Sequence, residues 1–160
     1  MRKLRRFLIL SPEERRLTIE ALLLPPGISA SFRLFGVPRT QAWIRGWAVS
    51  GKNLSAPVDH DSLITVARRS QGRAKRATGV LGPCLVRSLT LWAMLLRRGV
   101  ETDLRIGFRK RDGKIEGHAW LEYHRQPINE AESEVSTYSI YDRPVRFDLW
   151  LRQKDRKPAL

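Results

Sequence analysis

A chain of 160 residues with a formal net charge of +14 and 42% hydrophobic content has the size of one small globular domain with a modest core. One cysteine excludes an internal disulfide and suits a reducing, cytoplasmic setting, and no apolar run reaches the roughly 18 residues that a membrane span needs. A lone Cys and three scattered His show no ligand spacing, so no metal is expected, and nothing points to a cofactor.

The basic, apolar start, residues 1–10, resembles the opening of a signal peptide, but Glu13, Glu14, Arg15 and Arg16 interrupt it too early. Ser11-Pro12-Glu13-Glu14 reads as a helix start, with Ser11 as N-cap, Pro12 in the first turn and Glu14 completing a capping box. The helix is expected to run to about Leu24 and to end at Pro25-Pro26-Gly27. A second helical segment is expected over 31–48, interrupted near Pro38, and residues 50–60 read as a loop. Asp61 is a candidate cap for a helix through Ile64, Val66 and Ala67, and 71–78 reads as a basic, glycine-containing connection. On this reading the chain is one compact unit, with a helical segment over 1–55 and a core over 56–160.

Gly82-Pro83-Cys84 precedes an amphipathic run in which Leu85, Leu89, Trp92 and Leu96 recur at the spacing of a buried helical stripe. Pro83 suits the first turn, Arg97 and Arg98 complement the helix dipole at the far end, and Gly99 can take the left-handed conformation that stops the helix. Cys84 therefore stands at a helix N-terminus, where unpaired amide N–H groups favour negative charge, and the thiolate is the reactive form of cysteine.

Beyond Gly99 the period changes. Residues 102–109 alternate apolar and polar, Arg111-Asp112-Gly113 signals a turn, and 115–123 again reads as extended, so a hairpin is expected. Alternation puts His118, Trp120 and Glu122 on one face and Gly117, Ala119, Leu121 and Tyr123 on the other. A turn near Arg125-Gln126-Pro127 leads into a short strand Ile128-Asn129-Glu130, which would set Glu130 beside His118. Residues 133–140 read as a further strand and 154–160 as a frayed tail. Trp92 and Trp120 read as core, while His60 and His124 read as surface residues of a loop and a turn.

Cysteine opening a helix, histidine on a following strand and an acid on the next is the order of the transglutaminase-like and papain-like cysteine enzymes. More narrowly, the stretch from Cys84 to Gly99, then Arg105-Ile106-Gly107, His118-Ala119-Trp120-Leu121-Glu122 and Pro127-Ile128-Asn129-Glu130, resembles the transglutaminase-like leader peptidases of lasso-peptide biosynthesis. The likeness is most specific over 79–132, and the leucine-rich basic helix near Leu10 to Leu17 extends it loosely. It implies an α+β fold, a nucleophile helix packed on a small antiparallel sheet, and cleavage of a ribosomally made precursor so that an asparagine-synthetase-like cyclase can close a macrolactam. Cys84 maps onto the family nucleophile and His118 onto its base, and Glu130 stands where the family often carries aspartate. Asp142 and the Asn129 amide are alternative orienters. Some relatives carry a fused winged-helix domain that grips the leader; none is expected within these 160 residues, so a separate leader-recognition protein is expected.

The charge admits two readings, a solvated basic surface or a steering surface for an acidic leader or partner. Nucleic acid is not expected, because aromatics do not interleave with Arg68-Arg69 or with Arg73, Lys75 and Arg76. Two other functions remain open: an acyl-transferring transglutaminase using the same residues, and a non-catalytic module that binds acidic peptide or nucleic acid.

Overall fold

The computed structural model describes residues 7–50, 59–79 and 82–141. Ser11 and Glu14 form the expected capping box: each backbone N–H donates to the other's side-chain oxygen at 3.1 Å. Helix α1 (Pro12–Ser50) starts there but does not stop at Pro25-Pro26; the break comes at Gly36, at φ 74° and ψ 175°. Two prolines remove two helical N–H donors. Yet Leu17, Ala21 and Ile28, on either side, lie on one buried stripe, and continuing the helix keeps that stripe in the core. At Gly36 the chain doubles back. Ser31 Oγ and Thr40 Oγ1 are 3.0 Å apart, although nine residues of straight helix would separate them by about 13 Å. Pro38 does not interrupt the second limb; it lies just after the break, in that limb's first turn, where a missing N–H is tolerated.

Helix α2 (His60–Thr78) is capped by Asp59 rather than Asp61; the Asp59 carboxylate accepts the Asp61 N–H at 3.1 Å. It also runs through 71–78, expected to be a connection. Leu63, Ile64, Ala67, Gln71 and Ala74 continue one buried helical stripe past Gly72, and Gly79, at φ 74°, ends it. Helix α3 (Cys84–Leu96) is buried nearly all round from Ser88 to Leu96. Pro83 occupies its cap position, and Gly99 at φ 83° closes it as expected, with the Val100 N–H donating to the Leu95 carbonyl at 3.1 Å. Arg98 donates to the Met94 carbonyl at 2.9 Å and to Glu20 of α1 at 2.8 Å, and the Arg97 guanidinium lies 4.3 Å from the Trp47 ring centre. The basic residues at this helix end thus also bolt α3 to both limbs of α1.

Strands β1 (Asp103–Arg111) and β2 (Lys114–Tyr123) form the expected hairpin about Asp112-Gly113, both at positive φ, as a tight two-residue turn requires. Two short strands complete an antiparallel sheet of order β3-β2-β1-β4: β3 (Gln126–Pro127) on β2 and β4 (Ser139–Ile140) on β1. The strand expected over 128–130 is therefore displaced. The turn falls at His124-Arg125, and after the Ile128 N–H has donated to the Leu121 carbonyl at 2.9 Å the chain leaves the ladder. The strand expected over 133–140 is instead a single helical turn, α4 (Glu132–Val135), followed by β4. The loop expected over 50–60 falls largely, and the tail over 154–160 wholly, outside the described residues, as does Asp142. No described helix is long and apolar enough to cross a membrane.

Glu14 joins two elements, because Arg73 of α2 donates to its free oxygen at 2.7 Å. The Ser11 backbone N–H, and after it Arg73, hold the Glu14 carboxyl below its ordinary value of 4.5. A lowered folded-state value stabilises the fold above the ordinary range, and that contribution is lost as pH falls through the lowered value. Glu14→Gln is expected to cost about 1 kcal/mol at neutral pH in urea denaturation, with the gap to wild type closing below about pH 4. An unchanged gap at pH 3 would contradict the electrostatic tie.

Candidate active site

The edge of β2 that β3 leaves uncovered is closed by side chains. The Asn129 carbonyl oxygen accepts the Leu121 N–H at 2.7 Å, its amide donates to Ser88 Oγ at 3.0 Å, and Ser88 Oγ donates to the Ala119 carbonyl at 3.0 Å. Ser88 is on α3 one turn beyond Cys84, so this chain of bonds places the start of α3 along the strand edge next to His118.

A second pair of neighbours repeats the join. Arg87, preceding Ser88, donates to Glu130, following Asn129, and the same Glu130 Oε1 lies 3.4 Å from His118 Nε2. That nitrogen is buried with no hydrogen-bond partner among the described residues, so the pair is within ion-pair reach without hydrogen-bond alignment. The structure thus brings His118 and Glu130 together and ties Glu130 to the Cys84 helix through Arg87. No hydrogen bond joins Cys84 to His118 among the described residues. Cys84 is half-buried at the exposed start of α3.

The alternation read from the sequence holds across β2. Ala119 and Leu121 enter the main core with α3, while Trp120 forms a smaller cluster with Val135 and Tyr138. His118 stacks on the Tyr138 ring at 5.2 Å between centres and on Trp120 at 6.2 Å. Trp120 donates to buried Glu122 at 3.1 Å, and Arg105 holds the other Glu122 oxygen at 2.8 Å. Arg109 lies 4.3 Å from the Tyr138 ring centre and bonds Glu116 and Glu134, clamping the segment that carries Tyr138 onto the sheet. The Glu116 hydrogen bond leads in raising the Arg109 guanidinium above its usual range, and burial pushes the Tyr138 phenol up against the opposing pull of Arg109.

Gly107, opposite His118 in the β1–β2 pairing, makes room for this stack. A Cβ there would meet Tyr138 Cβ at 2.8 Å and the Trp120 ring at 2.9 Å. Trp92 and Trp120 are core, as read, and His124 is exposed at its turn. His60 is not free at the surface: its Nδ1 is 2.8 Å from the Tyr123 hydroxyl. Arg87, Ser88 and Tyr138 carry no motif of their own. Only the spacing of Arg87 and Ser88 from Cys84, at i+3 and i+4, could have flagged the first two.

Helices packed with a small four-stranded antiparallel sheet make this an α+β protein, and its cysteine-headed helix meets the sheet beside a histidine and a carboxylate. The transglutaminase-like superfamily matches residues 32–141, a span that holds Cys84, His118 and Glu130, and the chain belongs to that superfamily. Its members are typically cysteine-dependent enzymes, and the match suggests peptidase or acyltransferase chemistry. No curated protein and no solved structure matches the chain.

Asn129→Leu removes both amide bonds, leaving the Leu121 N–H without its acceptor and Ser88 Oγ with its bond to the Ala119 carbonyl alone. It is expected to cost about 2 kcal/mol in denaturant unfolding; a change within measurement error would show that the edge does not depend on Asn129. Gly107→Ala forces Tyr138 and Trp120 apart and should cost about 1–3 kcal/mol while reducing the near-ultraviolet dichroism of the aromatic cluster. Wild-type stability and spectrum together would refute that reading of the contact.

Proposed function

We propose that this protein is a cysteine peptidase that removes the leader from a ribosomally synthesised lasso precursor peptide, freeing the core N-terminus for a macrolactam-forming cyclase. The observation that carries the peptidase reading is the approach of His118 Nε2 to Glu130 Oε1, 3.4 Å, at the edge where the Cys84 helix docks. The lasso assignment rests on the likeness over 79–132, in which the same three residues fall at the family's catalytic positions.

With Nε2 turned to Glu130, Nδ1 is the ring nitrogen left to serve the thiol. Cys84 attacks the scissile carbonyl as thiolate, with His118 having taken its proton. The C–N bond breaks as His118 returns the proton to the departing amine, leaving a thioester on Cys84. Water, deprotonated by His118, then releases the leader's carboxylate and restores the thiol. Glu130 orients the imidazole, and the Cys84 backbone N–H supplies one donor to the oxyanion. Leader recognition falls to a separate winged-helix protein, whose binding energy positions the peptide. If an amine replaced water at the thioester, the same residues would perform acyl transfer, which the superfamily match equally allows.

Mass spectrometry of a precursor peptide incubated with the protein and its leader-binding partner separates the possibilities. Cleavage at one bond supports the peptidase. A mass gain from an added amine would make it a transferase, and no change would leave a binding protein. Cys84→Ala and His118→Ala are each expected to abolish product while retaining the fold, and His124→Ala to be tolerated. Glu130→Gln is expected to slow turnover, with Glu130→Asp recovering part of the rate, because an orienting group is less critical than the nucleophile or base. Full activity of Cys84→Ala would sink the proposal, and wild-type rates for both Glu130→Gln and Glu130→Ala would move the orienting role elsewhere.

A further inference from the structure

Helices α2 and α3 are held together by Gln71, whose amide donates to the Arg87 carbonyl at 2.9 Å, and beside that tie lies an open cavity of about 650 Å³. Its wall carries Arg68, Arg69, Arg73, Arg76 and Arg87, together with Asn129. Arg73 is bound to Glu14 and Arg87 to Glu130, whereas Arg68, Arg69 and Arg76 are exposed and have no acidic partner among the described residues. Like charges gathered around one concavity raise its potential and draw an anion into it.

Arg73 and Arg76 also line a second cavity, of about 530 Å³, whose remaining wall is mainly apolar: Phe7, Leu10, Leu22 and Ala77. A cationic site and an apolar one therefore share two arginines. The cationic wall contains no aromatic ring on which a base could stack, and an apolar recess beside guanidinium groups suits an aliphatic side chain flanked by carboxylates. At its other end the cationic cavity reaches Arg87 and Asn129, the residues that hold Glu130 and the β2 edge.

We propose that this double cavity binds an acidic segment of a peptide, with carboxylates on Arg68, Arg69 and Arg76 and an adjacent aliphatic side chain in the recess of Phe7, Leu10, Leu22 and Ala77. Bound there, the peptide lies against the helix that Cys84 opens. That the peptide is a substrate rests on the peptidase reading; that the cavity binds it does not.

The two are separated by measuring binding on the full chain carrying Cys84→Ala, by fluorescence anisotropy. The probes are a labelled Glu-Glu-Leu-Glu-Glu-Leu peptide, its Gln-for-Glu analogue, hexaglutamate and an oligothymidylate of equal charge. The Glu–Leu peptide is expected to bind more tightly than hexaglutamate and the Gln analogue not measurably. Arg68→Glu with Arg69→Glu should weaken the Glu–Leu peptide by about tenfold or more, and Ala77→Gln, which fills the recess, should remove its advantage over hexaglutamate. These side chains are exposed, and unchanged thermal unfolding confirms that each variant is folded; Arg68→Gln with Arg69→Gln, expected to act in the same direction, serves if the reversal is not. Equal affinity of wild type and the double variants, no binding of the Glu–Leu peptide, or tighter binding of the oligothymidylate would each overturn the proposal. Retained peptide binding by a protein that cleaves no precursor would reject the peptidase reading and leave the cavity's role intact.

Discussion

The unpaired edge of β2 between Ala119 and Leu121, buried against α3, is the constraint on which the site depends. Two backbone groups there have lost their strand neighbour, because β3 covers β2 only at Glu122 and Tyr123. A buried N–H or C=O without a partner costs about 1–3 kcal/mol, so the edge must be filled. It is filled from two directions at once, by Asn129 from the returning chain and by Ser88 from α3, and these two also bond one another. One stabilising demand therefore fixes the distance between helix, strand and returning loop. The residues next along the chain, Arg87 and Glu130, inherit that spacing and meet.

The inherited contact sets the surroundings of His118. Glu130 presents the same oxygen to a guanidinium and to an imidazole. A carboxylate already engaged by Arg87 has less charge to offer an imidazolium than a solitary one would, but it is held in place more firmly. On the proposed mechanism its contribution is chiefly orientation. The stack of His118 on Tyr138 works in the same sense, fixing the ring plane, and Gly107 leaves the space that lets Tyr138 approach.

What was legible in the sequence was what repeats with a short period or is closed locally. The capping box at Ser11 and Glu14, the stripe and Gly99 stop of α3, and the hairpin about Asp112-Gly113 each depend on residues within a few positions of one another. What was misread depends on contacts far along the chain. Pro25-Pro26 looks like a stop until Leu17, Ala21 and Ile28 are seen to share one buried stripe, and Gly72 looks like a linker until Gln71 is found bonded to Arg87. At the site the same division holds. His118 beside Glu130 follows from alternation and one turn, even though the strand proposed for 128–130 has already left the ladder. Tyr138 could not be found this way, because it reaches His118 only after α4 turns the chain back to the far edge of β1.

The distribution of arginine follows from the same architecture. Those at the element junctions are matched to acids, Arg98 to Glu20, Arg105 to Glu122, Arg109 to Glu116 and Glu134, and they hold helices and strands in register. The side of α2 facing the cavity is different, since Glu14 and Glu130 each engage only one guanidinium there and the others remain exposed. Three of the arginines without an acidic partner among the described residues, Arg68, Arg69 and Arg76, converge on one concavity that ends at the helix carrying Cys84. Pairing within the fold and convergence at the cavity are thus two arrangements of one residue type, the first building the scaffold and the second gathering positive charge beside the helix that carries Cys84.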